Sequence, residues 1–431
     1  MVKVTKSSLK TEEKIIEIDN PSLFKCSEVF PYVLKYLNEN DYVIKCNLVK
    51  STRNKLYFNL VYIKEFCGFI DKPFIPVPVY DFKSSDACNI SCMIIPTGVG
   101  ASFGGYAGDA NPIANLIAAS SKYFLTHPNV VNGAVLTDVP ENLIYLEGFL
   151  LDQFLIGKIN LIPNKINKIG VIFDKGISDE RLEYELNVLN GVRAFYGCEI
   201  LAYTVTREAL SISPSVTQLG FSTGTIKNLH CLIDSAVELK GLGVTAIAIC
   251  CAIPDLELNN DYLTGKGIDP VGGIESIISH VVSAVTGLVS AHAPVLISEE
   301  TIDYKNILPV SAGEYIAKTF LPSVISGLRF APKIFNSQFK QEGLKSFYDL
   351  SKIIVPYNAF GSPGVLYLNE QFRNVSLIRE NKSCLDVNPH DLNIDFNIVE
   401  SFTDLIDLQF VKEQGIDIGV LKRPLHKIQT V

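Results

Sequence analysis

The stretch CMIIPTGVGASFGGYAGDANPIANLI, residues 92–117, decides the fold of this chain. It begins with a short apolar run, turns through five glycines, and continues into a helix-like apolar pattern. Pro112 suits the first turn of that helix, where its missing N–H has no intrahelical partner to lose. A buried strand that turns through glycines into a helix is typical of an α/β protein with a parallel sheet.

The same alternation of apolar strands and helices continues along the chain. Helices are predicted to begin at Asp179 and Thr225. Further strands are predicted at GAVLTD (133–138), IGVIFD (169–174), EILAYTV (199–205), VTAIAICCA (244–252) and PVLIS (294–298). We predict an α/β fold with a mainly parallel sheet, helices on both faces, and a small N-terminal α/β unit.

With 431 residues, the chain is long for a single core. Residues 1–85 are predicted to form the N-terminal unit, with a helix from Ser27 to Leu37. The polar stretch DFKSSDACN ends this unit, and residues 86–340 form a glycine-rich α/β core. Residues 341–431 form either the C-terminal part of the same core or a second lobe.

Composition excludes several classes of protein. A net charge of −8 and the lack of a Lys/Arg cluster exclude a nucleic-acid partner. No apolar run reaches the roughly 18–20 residues that a membrane span needs. Ten cysteines without a CxxC motif or an apolar leader predict free thiols in the cytoplasm. An acidic, glycine-rich α/β protein of this size is expected to be a homo-oligomer, in particular a homodimer.

Three turns rich in small residues are candidate ligand sites, because ligands bind beyond the carboxyl ends of parallel strands. Glycines allow a ligand close to the backbone, and free N–H groups at a helix start favour a carboxylate or phosphate. A small anionic metabolite is therefore the predicted partner. The candidate binding residues are Thr97, Gly98, Gly100, Gly104 and Gly105 in the first turn, Ser222, Thr223 and Thr225 in the second, Gly272 and Gly273 in the third, and Asn129 and Asn132.

Histidines and carboxylates near these turns are candidates for acid–base catalysis. His127, predicted in a loop between a helix and a strand, His292, predicted just before a strand, and Asp109 come first. Glu275 and His280 share a predicted helix and come second. This set suits a lyase, isomerase or hydrolase. Each residue has a structural alternative, so a non-catalytic ligand-binding or regulatory protein is the first alternative.

A dinucleotide-dependent oxidoreductase is the second alternative. Gly98, Gly100 and Gly104 form GxGxxxG rather than GxGxxG, and the acid that ends the next predicted strand, Asp138, follows about 40 rather than about 20 residues later. No nucleotide motif is intact, so the cofactor is unknown. A metal site is a further possibility, although its candidate ligands do not have a spacing typical of metal sites. These ligands are His127, His280, His292 and Asp109.

Several longer segments resemble a bacterial and algal family, domain of unknown function 3326. They include IIPTGVGASFGGYAGDANPIA, THPNVVNGA, YLEGFLLDQF, GIDPVGGIESIISH, AHAP, SAGEYIAKTFLPSVISGLRFAP, NAFGSPGVL and LIRENKSCLDVNP. The resemblance covers roughly residues 90–425 and implies one functional unit there, with no assigned reaction. Cys250 and Cys251 depart from the aliphatic residues expected at their positions. The first 85 residues are an addition, predicted to contact a partner protein.

Overall fold

The computed structural model describes residues 9–21, 23–79, 89–254, 262, 267–296, 307–315 and 318–429. The predicted boundary near residue 85 lies outside them. The helices, in chain order, are α1 (Cys26–Leu34), α2 (Asn111–Ala119), α3 (Pro128–Val131), α4 (Gly148–Leu155), α5 (Asp179–Tyr196), α6 (Leu229–Gly241), α7 (Gly272–Thr286), α8 (Ala312–Tyr315), α9 (Leu321–Leu328), α10 (Pro363–Phe372) and α11 (Leu408–Glu413).

The strands, in chain order, are β1 (Thr11–Asp19), β2 (Tyr42–Ser51), β3 (Lys55–Ile63), β4 (Ile90–Met93), β5 (Tyr123–Thr126), β6 (Leu143–Tyr145), β7 (Ile159–Ile162), β8 (Lys168–Phe173), β9 (Glu199–Val205), β10 (Ile212–Val216), β11 (Ser222–Ile226), β12 (Ala246–Ile253), β13 (Val289–Leu296), β14 (Lys333–Asn336), β15 (Leu350–Pro356), β16 (Val375–Ile378) and β17 (Asn397–Val399).

A six-stranded parallel sheet contains the strand that precedes the glycine-rich turn. Its order is β17–β16–β15–β4–β5–β6. β15 pairs with β4, for example Ile353 with Cys92, so the late strands complete the sheet that β4 begins. β4 and β16 are buried along their whole length, as expected for a parallel sheet covered by helices. The α/β class predicted from the sequence is confirmed.

A second parallel sheet has the order β13–β12–β8–β9. Its strand β12 is buried throughout, and Cys250 and Cys251 point to opposite faces because strand neighbours alternate. The helices α6 and α7 pack against each other beside this sheet. The parallel strands are thus divided between two sheets, and the antiparallel pairs β10–β11 and β7–β14 complete the core.

The N-terminal unit is a three-stranded antiparallel sheet, β1–β3–β2, with α1. It docks on the core through β2, where the Leu48 N–H donates to the Gly361 carbonyl over 2.8 Å. A Cβ atom at position 361 would lie 2.0 Å from the Leu48 carbonyl oxygen. Glycine at this position therefore permits the close docking of the two parts.

Two predicted elements are wrong. Residues 133–138 form a turn, in which the Leu136 N–H donates to the Gly133 carbonyl over 2.8 Å, and the sheet continues with β6 instead. Thr225 does not begin a helix, because it lies in β11 opposite Ser213 of β10. β-Branched residues favour this strand, and α6 begins only at Leu229.

Two histidines lie in different elements from those predicted. His127 follows β5 directly and precedes α3, rather than joining a helix to a strand. His292 lies inside β13, which begins five residues earlier than the predicted strand. The helix α7 begins at Gly272 and contains both Glu275 and His280, as predicted.

Candidate active site

A cavity of about 280 Å³ lies at the carboxyl-terminal edge of the six-stranded sheet. Residues that follow four neighbouring strands line it: Ser362 after β15, Thr97 after β4, His127 after β5 and Glu147 after β6. β2, α7 and β13 contribute further walls. This is the edge at which open parallel sheets bind ligands.

The cavity lining is rich in acids. Lys45 is the only lysine or arginine among the described residues that line it, and burial lowers the pKa of that amine. The ionisable lining residues also include five carboxylates and three histidines: Glu147, Asp152, Asp269, Glu275, Glu314, His127, His280 and His292. The ionisable groups of the cavity lining are therefore mainly carboxyl groups.

His280 and Glu147 form a hydrogen-bonded pair, the dyad, in the cavity wall. Nδ1 of His280 bonds to Oε1 of Glu147. The Glu147 carboxylate also accepts from the N–H groups of Phe149 and Leu150, over 3.0 and 3.3 Å, at the start of α4. Because Glu147 accepts every one of these bonds, Nδ1 of His280 is the donor. The lone pair of the neutral imidazole is then on Nε2.

The N-terminal turn of α4 is built around this dyad. A Cβ atom at Gly148 would lie 2.8 Å from Cε1 of His280, so a side chain there would displace the ring. Asp152, one turn further along α4, also lines the cavity. Burial raises the pKa of the Asp152 carboxyl to about 7, although a side-chain hydrogen bond with Ser362 opposes this.

His127 is held by the backbone of the first turn. The Ile95 N–H donates to its Nε2 over 3.0 Å. Since an N–H group can only donate, the proton of the neutral ring is on Nδ1. Burial lowers the pKa of His127 to about 3, and the charge of the nearby His280 has the same effect. At neutral pH, His127 is therefore a hydrogen-bond donor.

Asp269, Glu275, Glu314 and His292 form another part of the lining, which we name the acidic pole. Oδ1 of Asp269 accepts from the Val271 N–H over 2.9 Å. Oε1 of Glu314 accepts from the Ala107 N–H over 2.9 Å, and the Tyr262 hydroxyl donates to it as well. Burial raises the pKa values of Asp269 and Glu314, and the negative charges of their carboxylate neighbours raise them further.

His292 has no hydrogen-bond partner for either ring nitrogen within the part of the chain that the structure describes. Only 2% of its side chain is exposed. Its Nδ1 lies 3.7 Å from Oε1 of Glu275, beyond hydrogen-bonding distance. A buried imidazole in a cavity wall without a partner is available to a ligand.

The glycine-rich turn binds a carboxylate of the protein itself. The N–H groups of Gly104 and Tyr106 donate to Oδ1 of Asp109, over 2.7 and 3.3 Å. Oδ2 of Asp109 lies 3.2 Å from Nη2 of Arg423. Burial raises the pKa of Asp109 to about 6, although Arg423 opposes this. Asp109 does not line the cavity and holds the turn in shape.

The glycines of the first and third turns allow these turns to pack together. A Cβ atom at Gly98 would lie 2.2 Å from Oγ of Ser222 and 2.8 Å from the Gly273 nitrogen. A Cβ atom at Gly100 would lie 2.9 Å from Cγ2 of Ile268. Protein atoms thus occupy the space that close approach of a ligand to these two glycines would require.

The other predicted binding residues divide between cavity and packing roles. Thr97, Gly105, Asn129 and Asn132 line the cavity. Asn129 also donates to the carbonyls of Ile95 and Gly104, over 2.9 and 2.8 Å. The described lining does not include Gly98, Gly100, Gly104, Ser222, Thr223, Thr225, Gly272 or Gly273.

The catalytic candidates His127, Glu275, His280 and His292 come together in this cavity, whereas Asp109 does not. Three further residues of the lining were not predicted from the sequence: Glu147, Asp152 and Glu314. A signal for the first two was present in EGFLLD (147–152), where an acid precedes a glycine and an apolar helix. Glu147 is the N-cap residue of α4, where a carboxylate interacts favourably with the helix dipole. The segment gives no sign of its histidine partner, which lies 133 residues away in the sequence.

A cluster with metal-binding residue types lies elsewhere. Ligand atoms of Glu208, His230 and Cys231 lie within 4.8 Å of one another, and they are the only such group of three in the described ranges. Sγ of Cys231 lies 3.4 Å from Nε2 of His230. The ligand set named from the sequence, His127, His280, His292 and Asp109, is not such a group.

A model of the family described as "Protein of unknown function (DUF3326)" matches residues 90–422. The chain belongs to the DUF3326 family. It is also 34% identical to an uncharacterized lipoprotein of Synechococcus sp. over 336 residues, which cover 77% of this chain and 92% of that protein. No solved structure matches the chain.

The DUF3326 match contains the dyad and the acidic pole but not the whole cavity wall. The cavity residues Lys45, Asn47, Leu48 and Val49 belong to β2 and precede the matched residues. The N-terminal unit therefore contributes to the cavity of this family member. Among the described helices, none is long and apolar enough to span a membrane.

Proposed function

We propose that this DUF3326 protein is an enzyme that transfers protons to and from a small metabolite in the cavity, as a lyase, isomerase or hydrolase does. His280 is the proton-transfer residue, and Glu147 positions it. The single observation that carries this proposal is the hydrogen bond between His280 Nδ1 and the Glu147 carboxylate in a cavity wall. A carboxylate that holds the distal nitrogen of an imidazole fixes its tautomer and leaves the other nitrogen to act as a base.

A second titrating group supports the acid–base proposal. Asp152 lines the same cavity as His280, and burial raises its pKa to about 7. A carboxyl with such a pKa is partly protonated near neutral pH and can donate a proton. An imidazole base beside a carboxylic acid is the type of pair that acid–base enzymes use. His127, which donates through Nδ1, would hold a substrate oxygen.

The predicted anionic substrate is not part of the proposal. The amides of the glycine-rich turn donate to Asp109, and an amide at the start of α7 donates to Asp269. These N–H groups are therefore not free for a substrate carboxylate or phosphate. The surplus of carboxylates in the cavity lining also disfavours an anion.

The two alternatives differ from the proposal in testable ways. A non-catalytic binding protein would use the cavity without any need for the Glu147–His280 pair. A dinucleotide-dependent oxidoreductase would need space beside the first turn, where atoms of Ser222, Ile268 and Gly273 lie instead. Neither alternative is favoured by a specific observation.

Solvent-deuterium incorporation tests the proposal before the substrate is known. Pools of small metabolites are incubated with the protein in D₂O, and mass spectrometry detects molecules that gain deuterium at carbon or turn over. We expect at least one such molecule, and we expect His280→Ala to abolish its exchange. The matched control is His390→Ala, since His390 is exposed and does not line the cavity. Unchanged exchange in His280→Ala would refute the proposed role.

Location and assembly are further proposals. The Synechococcus relative is called a lipoprotein, whereas nine described cysteines of this chain are free thiols. Free thiols are typical of a reducing compartment, so we propose a cytoplasmic location. We propose a homo-oligomeric state because most soluble oligomers are symmetric homo-oligomers. Cell fractionation with an antibody, followed by light scattering of the purified protein, tests both.

A further inference from the structure

Among the described residues, the acidic pole has three carboxyl groups and no lysine or arginine paired with them. Asp269, Glu275 and Glu314 line the same cavity, and the described lining contains no arginine. Lys45, its single lysine, lies over the ring of Phe221, with its Nζ 5.6 Å from the ring centroid. Enclosed carboxylates are stable only when they are paired, hydrogen-bonded or protonated.

Within the part of the chain that the structure describes, hydrogen bonds leave acceptor atoms of Glu275 and Glu314 unpaired. Asp269 accepts from the backbone N–H groups of Val271 and Gly272. The bonds to Glu314 reach its Oε1 from Ala107 and Tyr262. Oε1 of Glu275 is 3.7 Å from the nearest nitrogen of His292, which is too long for a hydrogen bond. Acceptor capacity therefore remains toward the cavity.

His292 is a separate observation that points to a ligand. Its side chain is 2% exposed, and neither of its ring nitrogens has a hydrogen-bond partner among the described residues. Enclosing an imidazole without hydrogen bonds costs free energy, so the ring is expected to bond to something that enters the cavity. One of its nitrogens can accept from an N–H donor next to Glu275.

The spacing of these groups disfavours one metal ion as the ligand. Within the described chain, the group of three ligand residues with atoms inside 4.8 Å of one another is Glu208, His230 and Cys231, and no residue of the acidic pole is in it. A polyatomic cation has several N–H donors that point in different directions. It can therefore reach carboxylates that are too far apart to share one ion.

We propose that the acidic pole binds an organic cation, the ammonium or guanidinium group of a small amine. The apolar side chains of Val271, Phe320 and Val324 line the same cavity and suit the alkyl stem of such a molecule. This inference rests on the proposed function in one respect: the bound amine would place its reacting carbon next to His280.

The helix α7 gives a first measure for the length of the amine. Glu275 and His280 both line the cavity and lie five residues apart on this helix. At 1.5 Å per residue, they are separated by roughly 7.5 Å along the axis. A chain of roughly six covalent bonds matches this axial rise, so aliphatic amines with about five carbon atoms are the first probes of the class.

Four probes of equal length test the cation. Thermal unfolding of the full chain is measured with millimolar n-pentylamine, n-pentylguanidine, n-pentanol or pentanoate. We expect the two cations to raise Tm by about 2 °C or more, and the alcohol and the carboxylate to leave it unchanged. Equal stabilisation by pentanol, or stabilisation by pentanoate, would overturn the proposal. So would stabilisation by MnCl₂ or ZnCl₂ with no response to either cation.

Two isosteric variants assign the effect to the acidic pole. We expect Glu275→Gln and Glu314→Gln each to weaken pentylamine binding at least tenfold, measured by calorimetry. The matched control is Glu413→Gln on the exposed face of α11, which should bind as the unmodified protein does. Far-UV circular dichroism verifies that each variant is folded. If both cavity variants are folded and bind pentylamine normally, the acidic pole is not the site.

His280→Ala separates this inference from the proposed function. We expect it to keep the response to pentylamine, because the ring is outside the acidic pole. If His280 is required for turnover of a neutral or anionic molecule and amines do not bind, only the substrate class is wrong. If amines bind through Glu275 but no reaction depends on His280, only the proposed function is wrong.

Discussion

The dyad and the acidic pole each contain a histidine near a carboxylate, and the two histidines differ in their hydrogen bonding. In the dyad, Glu147 accepts hydrogen bonds from two amides of α4 and from His280. In the acidic pole, His292 has no partner within the described residues, and its nearest carboxylate is 3.7 Å away. A group that must move a proton needs a fixed geometry, whereas a group that binds a ligand must keep its hydrogen-bonding capacity free. This difference supports our two proposals, proton transfer at the dyad and ligand binding at the acidic pole.

The largest expected effect comes from Glu147→Gln. An amide at this position can donate to Nδ1 of His280 and stabilise the wrong tautomer, with the proton on Nε2. We expect kcat to fall by about 10³–10⁴-fold with little change in pentylamine affinity. Steady-state kinetics and calorimetry on the same sample measure both. If the affinity for pentylamine fell by the same factor as kcat, catalysis and binding would not be divided between the dyad and the acidic pole.

The next effect comes from Gly148→Ala. Its Cβ atom would lie 2.8 Å from Cε1 of His280 and displace the ring from the carboxylate. We expect about a 100-fold loss of kcat, since a displacement of about 1 Å is enough for that. The control is Gly191→Ala in α5, where no atom lies within 4 Å of the added Cβ. Full activity in Gly148→Ala would show that the dyad geometry is not limiting.

The pH dependence of amine binding tests the role of the acidic pole. The raised pKa values of Asp269 and Glu314 mean that these acids bind protons that a cation must displace. Glu275, His292, Tyr106 and Tyr262 are the other ionisable groups of the described lining near them. An alkylamine stays charged up to about pH 10, so its affinity should rise about tenfold from pH 6 to pH 9. Calorimetry in two buffers should detect released protons, and a flat profile would contradict this.

The smallest expected effect is on stability. The pKa of Asp152 is about 7 in the folded protein against an ordinary value of 3.8. The folded state therefore binds more protons in this window, and this contribution to stability is complete below pH 3.8 and lost as the pH rises through 7. Asp152→Asn removes it. Allowing for water in the cavity, we expect the variant to gain about 1–2 kcal/mol relative to the unmodified protein between pH 5 and pH 8, measured by urea unfolding. An equal pH slope in both proteins would contradict it.

Local patterns predicted most of the elements correctly. The apolar run 244–252 and the helix that begins at Asp179 agree with β12 and α5, because burial and capping impose residue types over a few neighbouring positions. The run STGTI (222–226) was misassigned because a short polar segment has no clear period. Its place in β11 depends on the partner strand β10.

The candidate site was predicted only in part, because it too depends on contacts between distant residues. His127, Glu275, His280 and His292 were named because their residue types suit proton transfer, and all four line the cavity. The sequence could not predict their separate roles, since the role of each side chain depends on which residue it contacts in the fold. Asp109 was named for the same reason, although it holds the glycine-rich turn through Gly104 and Tyr106.

The sequence by itself determined the α/β class, the family and the strand edge at which the cavity lies, because apolar periodicity and glycine-rich turns are local properties of the chain. Only the tertiary structure decided which histidine is paired and which is not. His280 meets Glu147 across 133 residues, and His292 is enclosed in β13 without a partner among the described residues. Hydrogen bonding and charge act over a few ångströms, and the fold alone sets which distant residues lie that close.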